Sequence, residues 1–495
     1  MGLKSLLSLP FAEHVVRKNK HWKNNAIKIQ NELLLSLVKQ AQNTQFGKDH
    51  NFSEITNYNQ WKANIPISDY EELKNYIQQI IEGKENVLWP GVPLYFCKTS
   101  GTTSGTKYIP ISKESMPNHI TGGRDAMLSY IAETKNTSIV NGKMIFLQGS
   151  PKLSKTGDIL TGRLSGIVAH HTPSYLMKNR LPSYEANCIE DWESKVNAIV
   201  EETLPENMSL ISGIPPWVQM YFEKLQNKTG KLIKDVFPKF DLFIYGGVNF
   251  EPYRKTFEKL IGKKVAGVEL YAASEGLIAY QDSQKEEGML LCVNHGIFYE
   301  FIPSDEFVNE TPTRISLENV KLGVNYVILL NTNAGLWGYN IGDTIKFVSV
   351  NPYRIIVSGR IKHFTSAFGE HVIAEEVEKS LEKTIDKHAA QVNEFHVAPQ
   401  VNPKNGLPYH EWLIEFESQP NDMAAFTKKL DDELQSLNTY YKDLISGGIL
   451  KPLRLTVISK NGFRNYMKSI GKLGGQNKVP RLANDRKIAD KLNIS

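Results

Sequence analysis

Cysteine is scarce in this chain. Its 495 residues hold three, Cys97, Cys188 and Cys292, and none belongs to a C-x-x-C pair. A disulfide framework and a thiolate zinc site are therefore not expected, and the usage suits a reducing cytoplasm. Long apolar runs are missing as well, so no membrane-spanning segment is expected. The first ten residues are interrupted by Ser5, Ser8 and Pro10 and followed by Glu13 and His14. They read as the start of an amphipathic helix rather than a targeting signal. There is no internal repeat and no low-complexity tract. G-x-S-x-G does not occur, so a hydrolase elbow has no support. Twelve histidines are scattered, and His170 and His171 lack the i, i+4 spacing of a helical metal pair. Aromatic RNA-binding signatures are absent.

What is present is an ordinary globular mixture, 41% hydrophobic and 22% charged. The net charge of +5 is mild but uneven: from Lys442 onward there are 12 Lys and Arg against 3 Asp and Glu. That basic end is either a solvated face or a surface for a polyanion, such as a nucleotide, a nucleic acid or an anionic lipid. A long helix is expected over 12–42. Short apolar runs at 144–147, 242–245, 265–271 and 326–330 alternate with helical segments at 192–202, 216–226 and 253–261. This predicts a mixed α/β body. The texture changes at Ser358-Gly359-Arg360. A helix over 370–388, strands at 394–397 and 411–417, a helix over 423–437 and a strand at 453–459 then predict a second unit. The expected division is a large unit, 1–358, and a smaller one, 359–495.

Four segments are candidates for chemistry. Thr99-Ser100-Gly101-Thr102-Thr103-Ser104-Gly105-Thr106-Lys107 follows an apolar strand and is dense in hydroxyls. Its glycines let the backbone approach a ligand closely. Its N–H and O–H donors, with the Lys107 charge, suit phosphate oxygens. The order differs from a Walker A loop, and a flexible surface loop is the alternative. Tyr271-Ala272-Ala273-Ser274-Glu275-Gly276 sits where a strand ends, the usual place for ligands in open α/β sheets. Glu275 there could hold Mg²⁺ against phosphate, or simply occupy a helix first turn. Tyr339-Asn340-Ile341-Gly342-Asp343 offers a carboxylate for a ribose diol, or a turn aspartate. Gly474-Gly475-Gln476-Asn477-Lys478 displays one lysine on a mobile turn, where a solvated side chain is the plain alternative. Trp217, after Ser212-Gly213-Ile214-Pro215-Pro216, reads as core.

In this order and at these distances, the segments resemble the adenylate-forming ligase superfamily. Within it they are most similar to the Gretchen-Hagen, or auxin-responsive-promoter, family of acyl acid–amido synthetases. The resemblance runs from Phe46-Gly47 to Arg481. It implies a large adenylation domain and a smaller, mobile C-terminal domain. Residues Thr99, Ser100, Gly101, Thr102, Thr103, Ser104, Gly105 and Lys107 would wrap the triphosphate of ATP. Gly246 and Gly247 would let the backbone approach the adenine. Tyr271, Ala272, Ala273 and Ser274 would lie along adenine and α-phosphate, and Glu275 would engage Mg²⁺. Asp343 would hold the ribose, Arg360 would assist at the hinge around 359–362, and Lys478 would be the catalytic lysine. Asn340 departs from the plant-type pattern, which has arginine there, and the plant members are longer. The implied reaction joins a small carboxylic acid to an amine, an amino acid, through an acyl adenylate. The chain is expected to be a cytoplasmic monomer without nucleic-acid or membrane partners. An acyl-CoA ligase with a thiol acceptor, or a non-catalytic protein on a ligase fold, are the readings left open.

Overall fold

The computed structural model describes residues 3–102, 105–172, 178–248, 250–307, 309–361, 364–365, 367–370, 372–470 and 479–492. The expected α/β body is organised on a sheet of twelve strands. Five of these run parallel in the order Arg180–Leu181, Lys143–Leu147, Met208–Gly213, Leu242–Gly246 and Ala266–Ala273. Beyond Ala266–Ala273 the pairing turns antiparallel, through Gly276–Tyr280, Met289–Leu291, Tyr353–Arg360, Tyr339–Val350 and Asn325–Thr332 to the far edge. The parallel half reads as continuous apolar runs because helices such as Pro215–Thr229 and Glu251–Ile261 cover it. The change of direction falls at Ser274-Glu275, the two residues that turn the chain between Ala273 and Gly276.

A second, four-stranded sheet carries Tyr95–Thr102 and Gly105–Ile111. Its roots are fixed by burial: Phe96, Cys97, Ile109 and Ile111 join an aromatic core around Trp61 and Trp337. Helix Tyr70–Ile81 closes that core, started by a capping box in which Asp69 and Glu72 bond reciprocally.

The single helix expected over 12–42 is two, Leu3–Asn24 and Ala26–Ala41. Asn25 breaks it, with φ −122° and ψ 30°. Its side chain bonds the His21 carbonyl, the local competition that makes asparagine a poor helix-interior residue. Likewise the helix expected over 370–388 begins at Ala374, because Val372–Ile373 forms a short strand with Phe364–Thr365.

The C-terminal unit is a three-stranded sheet, Gln391–Gln400, Tyr409–Ser418 and Arg454–Ile458. Helices Ala374–His388 and Met423–Leu437 pack on it through Leu381, Phe426 and Leu430. Its apolar interior is continuous with that of the large unit: Phe368 and Val372 share a cluster with Tyr253 and Phe250. After residue 478 the tail runs along the sheet edge, where Val397 exchanges hydrogen bonds with Arg481 and Ala483. No helix among the described residues is long and apolar enough to cross a membrane.

Candidate functional site

The hydroxyl-rich segment is two strands rather than a loop. Tyr95–Thr102 pairs antiparallel with Gly105–Ile111, with Thr99 opposite Lys107 and Thr102 opposite Gly105. Thr99, Thr102 and Thr106 are β-branched and favour a pleated backbone, and the register slips between Thr99 and Thr102, where Gly101 accommodates the irregularity. The arm therefore projects from a buried root. Thr103 and Ser104 lie outside the described residues, as do the side chains of Ser100 and Thr102. The Lys107 ammonium stands 5.8 Å from the ring centroid of Tyr70, whose hydroxyl accepts the Tyr108 N–H at 3.0 Å.

The arm touches the second segment at its base. Cys97 Sγ donates to Ser274 Oγ at 3.2 Å. Burial pushes the Cys97 thiol up to about 12, the Ser274 contact opposes this, and the nearby Glu275 charge raises it further. Cys97 is thus a thiol fixed in place, not a nucleophile. Glu275 is half-buried on the turn. Beside the turn, Gly246 ends its strand against Leu270. A Cβ on Gly246 would lie 2.2 Å from the Leu270 carbonyl oxygen, so only glycine permits the approach. Gly247 follows at φ +82°, and both it and Gly369 of the C-terminal unit face Ile214.

The third segment meets the second through one short bond. The Tyr271 hydroxyl donates to Asp343 Oδ2 at 2.6 Å. Asp343 is not in a turn; it lies inside strand Tyr339–Val350 and is buried. Gly342, at φ +85°, lets the strand bend just before it. Asp343 stands opposite Arg360 in the strand register, and the Ile361 N–H bonds the Gly342 carbonyl at 2.9 Å. The Arg360 side chain lies outside the described residues.

The structure thus links the root of the arm, where Thr99 stands opposite Lys107, to the turn Ser274-Glu275 through Cys97, and links Tyr271 to Asp343, which stands opposite Arg360. Gly246 ends the neighbouring parallel strand, and Gly247 follows it. Lys478 lies outside the described residues. Its successor Val479 is buried in the C-terminal core, and the Pro480 carbonyl meets His396 Nδ1 at 2.5 Å. Among the described residues no group of three or more His, Cys, Asp or Glu is placed to hold a metal. The donor set suits Mg²⁺ nonetheless: that ion is held by one or two carboxylates together with substrate phosphates, and Glu275 is a carboxylate on the turn beside the arm. A separate cavity of 610 Å³ opens between the first helix and helix Met116–Thr134, lined by Arg124, Asp125 and His295 among others. It takes in none of these residues.

Sequence reasoning missed three groups. Cys97 ties the arm to the turn, and Arg163 and Tyr440 join the two units. Arg163 stacks its guanidinium 4.5 Å from the Tyr440 ring and pairs with Asp443 at 2.7 Å. No motif marks them, because the contacting groups lie far apart in sequence, 280 residues in the case of Arg163 and Asp443.

The comparisons with known proteins follow the same outline. Residues 16–265 match the GH3 family N-terminal domain, 290–360 its central domain and 375–487 its C-terminal domain. The jasmonoyl–L-amino acid synthetase JAR4 of Nicotiana attenuata is 24% identical over 402 residues, 68% of this chain and 69% of the relative. The indole-3-acetic acid-amido synthetase GH3.3 of Arabidopsis thaliana is 19% identical over 97% of this chain and 92% of its own. Among solved structures, a GH3.15 acyl acid amido synthetase superposes with a TM-score of 0.61 at 15% identity, over 97% of this chain and 96% of its own. A 2-hydroxyisobutyryl-CoA ligase reaches the same 0.61 at 12% identity, over 95% and 92%. The fold is therefore that of adenylate-forming ligases, and by itself it does not separate an amine acceptor from a thiol. The domain matches show the family: this chain belongs to the GH3 family.

Proposed function

We propose that the protein is an ATP-dependent acyl acid–amido synthetase, which activates a small carboxylic acid as an acyl adenylate and passes the acyl group to an amino acid. The observation that supports this most directly is the joining of three distant segments by two side-chain contacts, Cys97 to Ser274 and Tyr271 to Asp343. Residues 1–358 would bind ATP and acid, and residues 359–495 would carry Lys478. A monomer in the cytoplasm is the accompanying proposal.

A free carboxylate is a poor acyl donor because its leaving group would be oxide. In the first step a carboxylate oxygen of the acid bonds the α-phosphorus of ATP, and the bond to pyrophosphate breaks. Two anions meet, so preorganised positive charge and donors must stand where charge builds up. The arm's backbone N–H groups, its hydroxyls and Lys107 would hold the β- and γ-phosphates, and Lys478 would face the reacting oxygens. Mg²⁺ held by Glu275 would neutralise phosphate charge. Asp343 would accept the ribose hydroxyls, with its carboxylate oriented by Tyr271. In the second step the amine nitrogen bonds the acyl carbon, AMP leaves, and the nitrogen gives up a proton. Water must be kept out between the steps, or the adenylate is hydrolysed.

The test is product analysis with one acid that supports adenylate formation, offered amino acids and CoA side by side. An amide with AMP and pyrophosphate supports the proposal. A thioester alone overturns it in favour of the acyl-CoA ligase reading.

A further inference from the structure

The C-terminal unit reaches the root of the phosphate arm through one helix, Thr439–Ser446. Tyr440 and Asp443 lie three residues apart and so share a face of it. The Tyr440 hydroxyl donates to the Lys98 carbonyl at 3.2 Å, next to Thr99, and interacts with the Thr99 side chain. Arg163 fills the space between: its guanidinium lies 4.5 Å from the Tyr440 ring, and Nη2 meets Asp443 Oδ2 at 2.7 Å. Arg163 directly follows strand Ile159–Gly162, in which Gly162 pairs with Cys97, and Cys97 contacts Ser274. A continuous line of contacts therefore runs from Asp443, through Arg163 and the arm's root, to the turn that bears Glu275.

Resting on the amido-synthetase reading above, we propose that Arg163, Tyr440 and Asp443 form a latch that closes the C-terminal unit over the phosphate arm and keeps water from the acyl adenylate. Arg163 is a positioning residue in this arrangement; it acts through Tyr440 and touches no reacting atom. The chemistry suits a weak, directional contact. The Arg163 and Asp443 side chains are 35% and 50% exposed, so water screens their pairing and the contact breaks readily. The flat guanidinium on the tyrosine face adds direction that a lysine would not supply. A closure of this kind sequesters a reactive intermediate without taking part in its chemistry.

The diagnostic quantity is AMP released per amide formed. In Arg163→Ala and Asp443→Asn this ratio is expected to rise several-fold, since adenylate leaks to water, while Arg163→Lys falls between them and the wild type. The thermal midpoint should stay within a few degrees, because the pair is exposed. Hydrogen exchange of the full-length protein supplies a readout independent of activity. Amides along Thr439–Ser446 and Tyr95–Thr102 should exchange faster in both variants. An unchanged AMP-to-amide ratio overturns the latch. Should the wild type form no adenylate with any acid, the functional reading fails and the exchange data alone judge the contact. Faster exchange then upholds the closure, and unchanged exchange removes it.

Discussion

Removing the Tyr271 hydroxyl takes from Asp343, which is 5% exposed, the donor that holds its Oδ2 at 2.6 Å. Hydrogen bonds to a charged group contribute about 1.5–3 kcal/mol. Tyr271→Phe is therefore expected to weaken ATP binding by about tenfold or more while the fold survives, as titration calorimetry and circular dichroism would show. Unchanged affinity would mean that Asp343 does not hold the ribose. At this scale the sequence was readable where a residue belongs to a compact motif. Glu275 and the glycine pair stand at strand ends, and Asp343, inside its strand, is reached by the Tyr271 hydroxyl. It was silent on Cys97, Arg163 and Tyr440. Their roles depend on strands and helices from distant parts of the chain coming side by side, and no local spacing encodes that. Asp343 also shows the limit of local pattern: beside Gly342 it reads equally as a turn residue, but its strand is paired on both sides, with 325–332 and 353–360, and Asp343 is buried.

Elements were legible in proportion to how local their causes are. Helix Met423–Leu437 has the bounds its apolar spacing predicts, and Asp422 caps it. The first helix was overrun because Asn25 interrupts a pattern that continues on both sides. The hydroxyl-rich segment, for which a flexible surface loop was the alternative reading, is two paired strands, with Thr99 opposite Lys107 and Thr102 opposite Gly105. The order of twelve strands could not be read, since it rests on pairings far apart in sequence. One strand end offers a sharp test. A methyl on Gly246 would lie 2.2 Å from the Leu270 backbone oxygen, which cannot move without parting two paired strands. Forced overpacking costs about 1–3 kcal/mol. Gly246→Ala should lower the urea midpoint accordingly and also reduce nucleotide affinity. Wild-type stability and affinity together would show that the strand end is not the close approach described.

At the scale of the whole molecule, two buried histidines link stability to pH. His119 is held at about 4 by burial, then by the charge of His295. His295 is held at about 4 by burial, partly offset by Asp125. In the unfolded chain both titrate near 6.5. Their folded values are lowered, so below about 6.5 the unfolded state binds more protons, and stability falls as the pH drops toward 4. Each group contributes up to about 1.4 kcal/mol per pH unit in that window. Urea unfolding between pH 7 and 4.5 should show this decline, with a shallower slope for His119→Gln. Equal slopes would remove His119 from the account.

The same scale holds the central claim, that a small unit with a basic tail brings its lysine to a nucleotide seated on the large one. The excess of Lys and Arg after residue 442 is consistent with that task. The most direct test is acid-dependent exchange of pyrophosphate into ATP, run with Mg²⁺ and a panel of aromatic, indolic and fatty acids. The account predicts exchange with at least one acid, reduced about 10²–10³-fold in Lys478→Ala, the usual effect of deleting one preorganised charge-stabilising group. Undiminished exchange in Lys478→Ala would contradict the role given to that residue. No exchange with any acid, together with no measurable ATP binding, would contradict the ligase account itself.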